Sequence, residues 1–424
     1  MAAPSTETDL PGLPGLPGLA SVYRDLHSHP ELAFQETRTA ALVAGRLRAL
    51  GYDTTTAVGR TGVVGVLRNG DGPTVLLRAD MDALPVQERT GLPYASTARG
   101  TDADGAEVPL MHACGHDMHV TCLLGAAAEL AAHRSSWRGT ALLVFQPAEE
   151  TGDGARAMVD DGLYERFGRP DVVLGQHVAP LPAGTLGLHP GAAFAASDSL
   201  SVVLHGRGGH GSRPEATVDP VVMAAATVMR LQGIVSREVP GSSTAVLTVG
   251  SLHAGTRGNV IADRAELRLS VRTFDTVVRE TVLAAVERVV RAEAAASAAP
   301  RDPDITLTQS FPAVVNDPEA AAFVARALTD GPGPGLPIVD PGPVTGSEDV
   351  GILASAAGAP CVYWLLGGAD PRPFADAGND PAALADVTRG LPSNHSPSFA
   401  PVVEPTLTTG VGALVTAARA YMPR

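Results

Sequence analysis

The sequence predicts an α/β protein in which a mainly parallel-sheet domain is interrupted by a smaller α+β domain. Three observations carry this expectation. The chain has 424 residues, more than one core serves, since domains usually close at about 100 to 200 residues. It is 45% hydrophobic but only 4% aromatic, the balance of an α/β protein packed from small aliphatic side chains. Short apolar runs alternate with helical stripes in the first half, and that order changes near residue 195 and returns after residue 311.

Along the chain, residues 1–19 lack the basic start and continuous apolar stretch of a signal peptide. They carry a Pro-Gly-Leu repeat over 11–19, so a flexible leader is expected. Ala40, Leu42, Val43, Leu47 and Leu50 form a helical stripe within 36–50, and Gly51 stands at the stop. Aliphatic runs at 62–67 and 74–78, bounded by Gly, Asp and Pro, read as buried strands. A helix is expected at 120–132, then strands at 140–145 and 171–174, the latter just before Gln176 and His177. Strand–helix alternation of this kind gives a mainly parallel sheet, whose strand ends converge on one crevice.

Strands at 199–204, 244–249, 265–271 and 305–308, with helices at 219–231 and 276–296, make up the α+β part. The remainder reads as helix 318–329, a Gly/Pro-rich loop 331–343, strand 361–366 and terminal helix 406–420. A long loop over 367–394 has room for one short helix at 382–388. The expected division is leader 1–19, main domain 20–194 and 312–424, and insert 195–311.

A formal charge of −14 argues against nucleic acid or an anionic membrane as partner, because either wants a basic face. Three cysteines in so long a chain argue against a disulfide framework, and a reduced, cytoplasmic setting is expected. No apolar run reaches the about 18 residues of a membrane span.

The densest group of metal-ligand types is His112-Ala-Cys-Gly-His-Asp-Met-His119, where Cys114 and His116 can face one ion across an extended turn. Glu149 and Glu150 follow the strand 140–145. Adjacent residues there point apart, so one carboxylate can hold metal while the other faces water. His177 after the next strand and His395 in Ser393-Asn-His-Ser-Pro bring the candidate ligands Cys114, His116, Glu150, His177 and His395 to about what a metal pair with open positions requires. A partly buried Cys, solvated glutamates and structural histidines are the bland alternatives. Asp80 and Asp82 are expected on the same side of a strand end, either as ligands or, the favoured role, holding a ligand histidine. The stretch Gly206 to Ser212 has no Lys-Ser/Thr ending and is not a phosphate loop.

Together these segments resemble the dinuclear metallopeptidase and aminoacylase family that includes carboxypeptidase G, hippurate hydrolase and the plant indole-acetyl-amino-acid hydrolases, most closely its hippurate hydrolase branch. The resemblance runs in ordered blocks over nearly the whole chain: 26–34, 78–85, 112–119, 145–150, 206–214, 346–349 and 394–397. It implies that Cys114, His116, Glu150, His177 and His395 bind two divalent metals, manganese or zinc foremost with cobalt or nickel as alternatives. Glu149 is implied as general base, with Asp82 also at the catalytic centre. It further implies that the insert is a lid that usually dimerises. His210 is then placed at the reacting carbonyl, commonly from the partner subunit, and Asn259 and Arg272 at the substrate's carboxylate. Plainer readings are an Asn259 that caps a turn and an Arg272 that pairs on the surface. Two departures matter: the branch often shows Gly-Thr before the lid Arg and Phe after Glu-Asp, where this chain has Leu269-Ser270 and Val350, and the wider family has His-x-Asp where this chain has Asp80-Met-Asp82. Which ligand bridges the metals is therefore left open.

The expected activity is hydrolysis of the amide of an N-acyl amino acid. The alternatives are a dipeptidase or glutamate-releasing carboxypeptidase with the same site, a cysteine hydrolase using Cys114, and a non-catalytic metal-dependent binding or regulatory protein.

Overall fold

The computed structural model describes residues 18–330, 335–378 and 380–424. The described residues form two compact units: one within 18–193, 315–342 and 349–424, the other Phe194–Val314 with Pro343–Glu348. Residues 1–17 of the expected leader lie outside the described residues. Its last residue corrects the expectation, because Leu19 opens the helix Leu19–His27 and is buried in the core with Val22, Tyr23 and Leu26.

The first unit is built on an eight-stranded sheet, in the order Asp53–Val58, Gly62–Asn69, Gly139–Gln146, Thr74–Asp80, Val172–Pro182, Cys361–Ala369, Leu186–Gly187, Ile338–Val339. The central strands Gly139–Gln146, Thr74–Asp80, Val172–Pro182 and Cys361–Ala369 run parallel. They are near-continuous apolar runs because they are buried on both faces, which is what separates them from alternating strands. The two strands at the Asp53 end are antiparallel, and Asp53–Val58 at the edge is largely exposed and rich in Thr.

Helices His116–Ala132, Thr406–Tyr421, Leu19–His27 and Thr37–Ala49 share one core with Leu77, Leu143, Phe145, Leu174 and Trp364 of the sheet. Leu77 is fully buried in the central strand. Leu77→Ala is expected to destabilise this unit by about 2–5 kcal/mol, read from the denaturant midpoint. An unchanged midpoint would contradict this packing.

Several sequence expectations need correction. The helix expected at 120 begins at His116, because Gly115 adopts a left-handed φ of 82° that starts it early. A Cβ at Gly115 would stand 2.3 Å from Val178 Cγ1, so only glycine fits. The strand expected to stop at 174 runs to Pro182, since Cys361–Ala369 pairs with it past Leu365↔His177. Gln176 and His177 are thus inside a strand. Of the loop 331–343, residues 331–334 lie outside the described residues, and Ile338–Val339 is a short strand paired with Leu186–Gly187. Over 367–394 the strand continues to Ala369, and two helices follow, Arg372–Ala377 and Pro381–Gly390; residue 379 lies outside the described residues.

The second unit is an antiparallel sheet in the order Ala245–Ala254, Arg264–Thr273, Ala196–His205, Asp304–Phe311. Burial alternates along the two inner strands, as in a sheet with one face on a core. That face packs on helices Pro220–Arg237 and Thr276–Ala296 through Leu200, Val202, Leu204, Leu231, Ile234, Val282 and Val286. Both helices start on an aspartate: Asp219 accepts from Val221 N–H at 2.8 Å and Asp275 from Val278 N–H at 2.9 Å. Among the described residues, no helix is long and apolar enough to cross a membrane.

Candidate metal centre

Parallel pairing sets the site at the carboxyl ends of the central strands. Asp80 lies opposite Gln146, and Arg78 opposite Gly175, so the segments carrying Asp82, Glu149 and Glu150 leave the sheet at one edge, near the level of His177 within its longer strand. The Cys114-Gly115 turn delivers its residues to the same edge, with His116 as the first residue of a helix and not in the extended turn expected for it.

One donor atom each from Cys114, His116 and His177 lies within 4.8 Å of the others, and the same holds for Cys114, Glu150 and His395. All five sequence-predicted ligand residues are therefore brought together, with Cys114 common to both groups. The histidine hydrogen bonds fix which nitrogen points where. His177 Nδ1 lies 2.8 Å from the Val178 carbonyl, which only accepts, so its lone pair is on Nε2, 3.4 Å from Cys114 Sγ. His116 Nδ1 donates to Asp82 Oδ1 at 3.2 Å. His116 Nε2 is buried without a hydrogen-bond partner, 3.8 Å from Glu150 Oε1 and 3.9 Å from Glu149 Oε2. His395 Nε2 lies 3.4 Å from Glu150 Oε2, and its backbone holds a positive φ of 70°.

Charge in this pocket is uneven. Burial opposes a proton on His116, yet the carboxylates of Asp80, Asp82 and Glu150 outweigh it and hold the imidazole up at about 10. Burial likewise opposes charge on Glu150, but His395, His116 and His177 keep its carboxyl below the ordinary range. A dication would answer the same excess of negative charge around His116. A buried imidazole nitrogen with no partner, beside thiol, imidazole and carboxylate donors, is the donor set that zinc and neighbouring transition metals take.

Asp82 does what its favoured reading requires. Besides His116 it accepts the Glu150 backbone N–H on Oδ2 at 2.9 Å, tying two candidate ligands to one carboxylate. Asp80 is occupied differently. Its Oδ2 accepts from Arg78 Nη1 at 2.7 Å, and its Oδ1 lies 2.6 Å from His119 Nδ1. Burial would raise this carboxyl, but Arg78, His116 and His119 together outweigh it and hold it well below the usual range. His119 also lies within ligand distance of Asp80 and His116. It has no lone pair to give, because Nδ1 donates to Asp80 while Nε2 accepts from Val178 N–H at 2.8 Å.

His210, Asn259 and Arg272 belong to the second unit. His210 is exposed on a two-residue strand paired with Val260, and Gly211 N–H donates to the Asn259 carbonyl at 2.9 Å, so Asn259, in the turn that leads into Val260, is held beside His210. Ser212 N–H and hydroxyl approach His210 Nδ1 at 3.1 and 2.7 Å, which turns Nε2 into the donor. Arg272, partly buried, donates through Nη1 to the Thr345 carbonyl at 2.6 Å and Ser347 Oγ at 3.0 Å.

The model of peptidase family M20/M25/M40 matches residues 76–389. The chain belongs to that family. As an M20-family protein it is a metal-dependent amidohydrolase. A hippurate hydrolase of Campylobacter jejuni is 39% identical over 349 residues, covering 81% of this chain and 86% of that protein. An N-acetyl-L-cysteine deacetylase of Bacillus subtilis is 37% identical over 330 residues, covering 77% and 75%. The crystal structure of a dinuclear metal-binding peptidase of the M20 family, also from Bacillus subtilis, matches with a TM-score of 0.75 at 29% identity, over 95% of this chain and 97% of that one.

Three residues around this M20 site escaped sequence reasoning. Arg78 is buried and donates to Asp80, to Gln146 Oε1 at 2.9 Å and to Asp349 Oδ1 at 2.9 Å. A lone charge inside the apolar run Thr-Val-Leu-Leu-Arg was the available signal. Asn394 donates to the Cys114 and Val178 carbonyls at 3.2 and 3.1 Å, stapling the turn to the strand beside His395. Nothing local marks His119 as different from His116.

Proposed function

We propose that this chain hydrolyses the amide of N-acyl amino acids, with two divalent ions held by Cys114, His116, Glu150, His177 and His395 and with Glu149 as general base. The observation that carries the reading is the convergence of donor atoms from Cys114, His116 and His177, with the carboxylates of Glu149 and Glu150 at 3.9 and 3.8 Å from the partnerless His116 Nε2. When bound, such ions lower the pKa of a water and polarise the scissile carbonyl. Glu149 takes the proton of that water and passes it to the departing amine. Asp82 holds His116 in the tautomer that presents Nε2 inward and fixes Glu150 through its N–H.

His210 is assigned to the oxyanion, and Asn259 and Arg272 to the substrate's carboxylate. Their chemistry supports this: Ser212 leaves His210 Nε2 as a donor, and Arg272 is a fixed cation. A preorganised donor at the oxyanion is worth about 2.7–4 kcal/mol of barrier. The names of the relatives, a hippurate hydrolase and an N-acetyl-L-cysteine deacetylase, support an acyl group on an α-amino acid as substrate. Manganese or zinc as the metals, a cytoplasmic setting and a homodimer formed through the second unit complete the proposal.

The test is amino-acid release from acetyl, benzoyl and long-chain acyl amino acids, with a dipeptide arm, by protein loaded with zinc or manganese. Release from at least one acyl amino acid is expected to exceed that from any dipeptide by about tenfold or more, a difference of about 1.4 kcal/mol in the barrier. Preference for dipeptides would reassign the chain to peptide hydrolysis.

A further inference from the structure

Glu36 lies outside the candidate metal centre, yet it is fully buried just before the helix Thr37–Ala49. Its carboxylate joins three separate segments. Oε1 accepts the Phe34 N–H at 3.0 Å and the Ala148 N–H at 2.9 Å, and Oε2 accepts the Thr61 hydroxyl at 2.5 Å. Two of those donors belong to residues in the left-handed region, Phe34 at φ 60° and Ala148 at φ 49°. Neither side chain favours that conformation unaided.

Ala148 is the residue that turns the chain from the strand Gly139–Gln146 into Glu149 and Glu150. It is buried, and the Gly154 N–H closes the turn onto its carbonyl at 3.1 Å. Adjacent carboxylates can serve different tasks only if the backbone before them is fixed, since a rotation at Ala148 swings both. Asp82 holds the Glu150 N–H from one side, and Glu36 holds the Ala148 N–H from the other. The acidic run is thus pinned at two successive points by buried carboxylates.

We propose that Glu36 is a positioning residue: its carboxylate holds Ala148 in the left-handed turn and so aims Glu149 and Glu150 into the site. This rests on the reading of Glu149 and Glu150 given above. Glutamine keeps the arrangement, because its amide oxygen accepts both N–H groups while its NH2 donates to Thr61 Oγ1. Methionine fills a similar volume, but its thioether is only a weak acceptor and cannot hold both N–H groups.

The test compares Glu36→Gln, Glu36→Met and Glu36→Met with Ala148→Gly, by cobalt(II) titration of metal-free protein and by kinetics on the best N-acyl amino acid. In Glu36→Met the cobalt Kd is expected to rise about tenfold, the scale of outer hydrogen-bonding partners at metal sites. In the same variant kcat should fall about 100-fold with KM within about twofold, the signature of a group that serves the transition state. Glu36→Gln should stay within about threefold of wild type in both. Ala148→Gly, which enters the left-handed region without an anchor, should recover about tenfold of the lost kcat. Should Glu36→Met not fold, Glu36→Asp, which draws the oxygens back by one methylene, carries the same expectation.

Wild-type cobalt affinity and kcat in folded Glu36→Met overturns the proposal, as does Glu36→Gln being as impaired as Glu36→Met or the absence of any rescue by Ala148→Gly. If wild-type protein hydrolyses no acyl amino acid, the substrate reading falls, while the cobalt titrations still decide the role of Glu36.

Discussion

Glu149→Ala protein is expected to release amino acid at least about 10³-fold more slowly than wild type, the scale of a lost general base, while binding metal as wild type does. Both carboxylates flank His116 Nε2 at similar distances, so geometry alone does not divide their labour. Contacts beyond that nitrogen do. Glu150 also reaches His395, and its backbone is fixed by Asp82, which makes it the member of the pair committed to the ligand cluster. Measuring bound metal and turnover on one preparation separates the two tasks. Turnover above a tenth of wild type, or parallel loss of metal and activity, would remove Glu149 from the base role.

The second large effect is on metal removal. Exhaustive chelation should abolish turnover, and added zinc or manganese should restore it. The metal-free protein should also unfold at a lower temperature. At a hundredfold excess of free metal over its Kd, binding to the folded state alone contributes about 2.7 kcal/mol per site. The sign follows from the charges: Asp80, Asp82, Glu149 and Glu150 crowd one buried imidazole, and a dication relieves their mutual repulsion. Full activity after chelation, with loss only on treatment by a thiol reagent, would instead favour Cys114 as a nucleophile.

Much of the first unit's sheet was legible, because strands such as Thr74–Asp80 and Gly139–Gln146 are buried on both faces and their apolar runs are bounded by Gly, Asp and Pro. Asp53–Val58 was not, since an exposed, Thr-rich edge strand carries no apolar signal. The end of Val172–Pro182 was hidden for another reason: its last residues are held by a strand nearly two hundred positions later, and no local feature records that pairing. Site residues divide the same way. The five candidate ligands are legible because thiol, imidazole and carboxylate are chemically conspicuous residue types. Arg78, His119, Asn394 and Glu36 act through partners far away in sequence, and a buried hydrogen bond leaves no periodic trace. His119 shows the limit most clearly. Only the Val178 N–H, 59 positions on, takes away the lone pair that would have made it a ligand.

The parallel sheet also orders events in time. Gly139–Gln146, Thr74–Asp80 and Val172–Pro182 leave the ribosome before the second unit, whereas Cys361–Ala369 and the Asn394 staple, 280 positions after Cys114, follow it. Until then, Val172–Pro182 is an apolar strand with one open edge, the kind of edge that recruits other chains. The thiol and first histidines of the metal centre would be synthesised long before His395 could join them. A growing chain of this protein therefore carries that open edge throughout the synthesis of the second unit, and its candidate ligand set is complete only once His395 has been made.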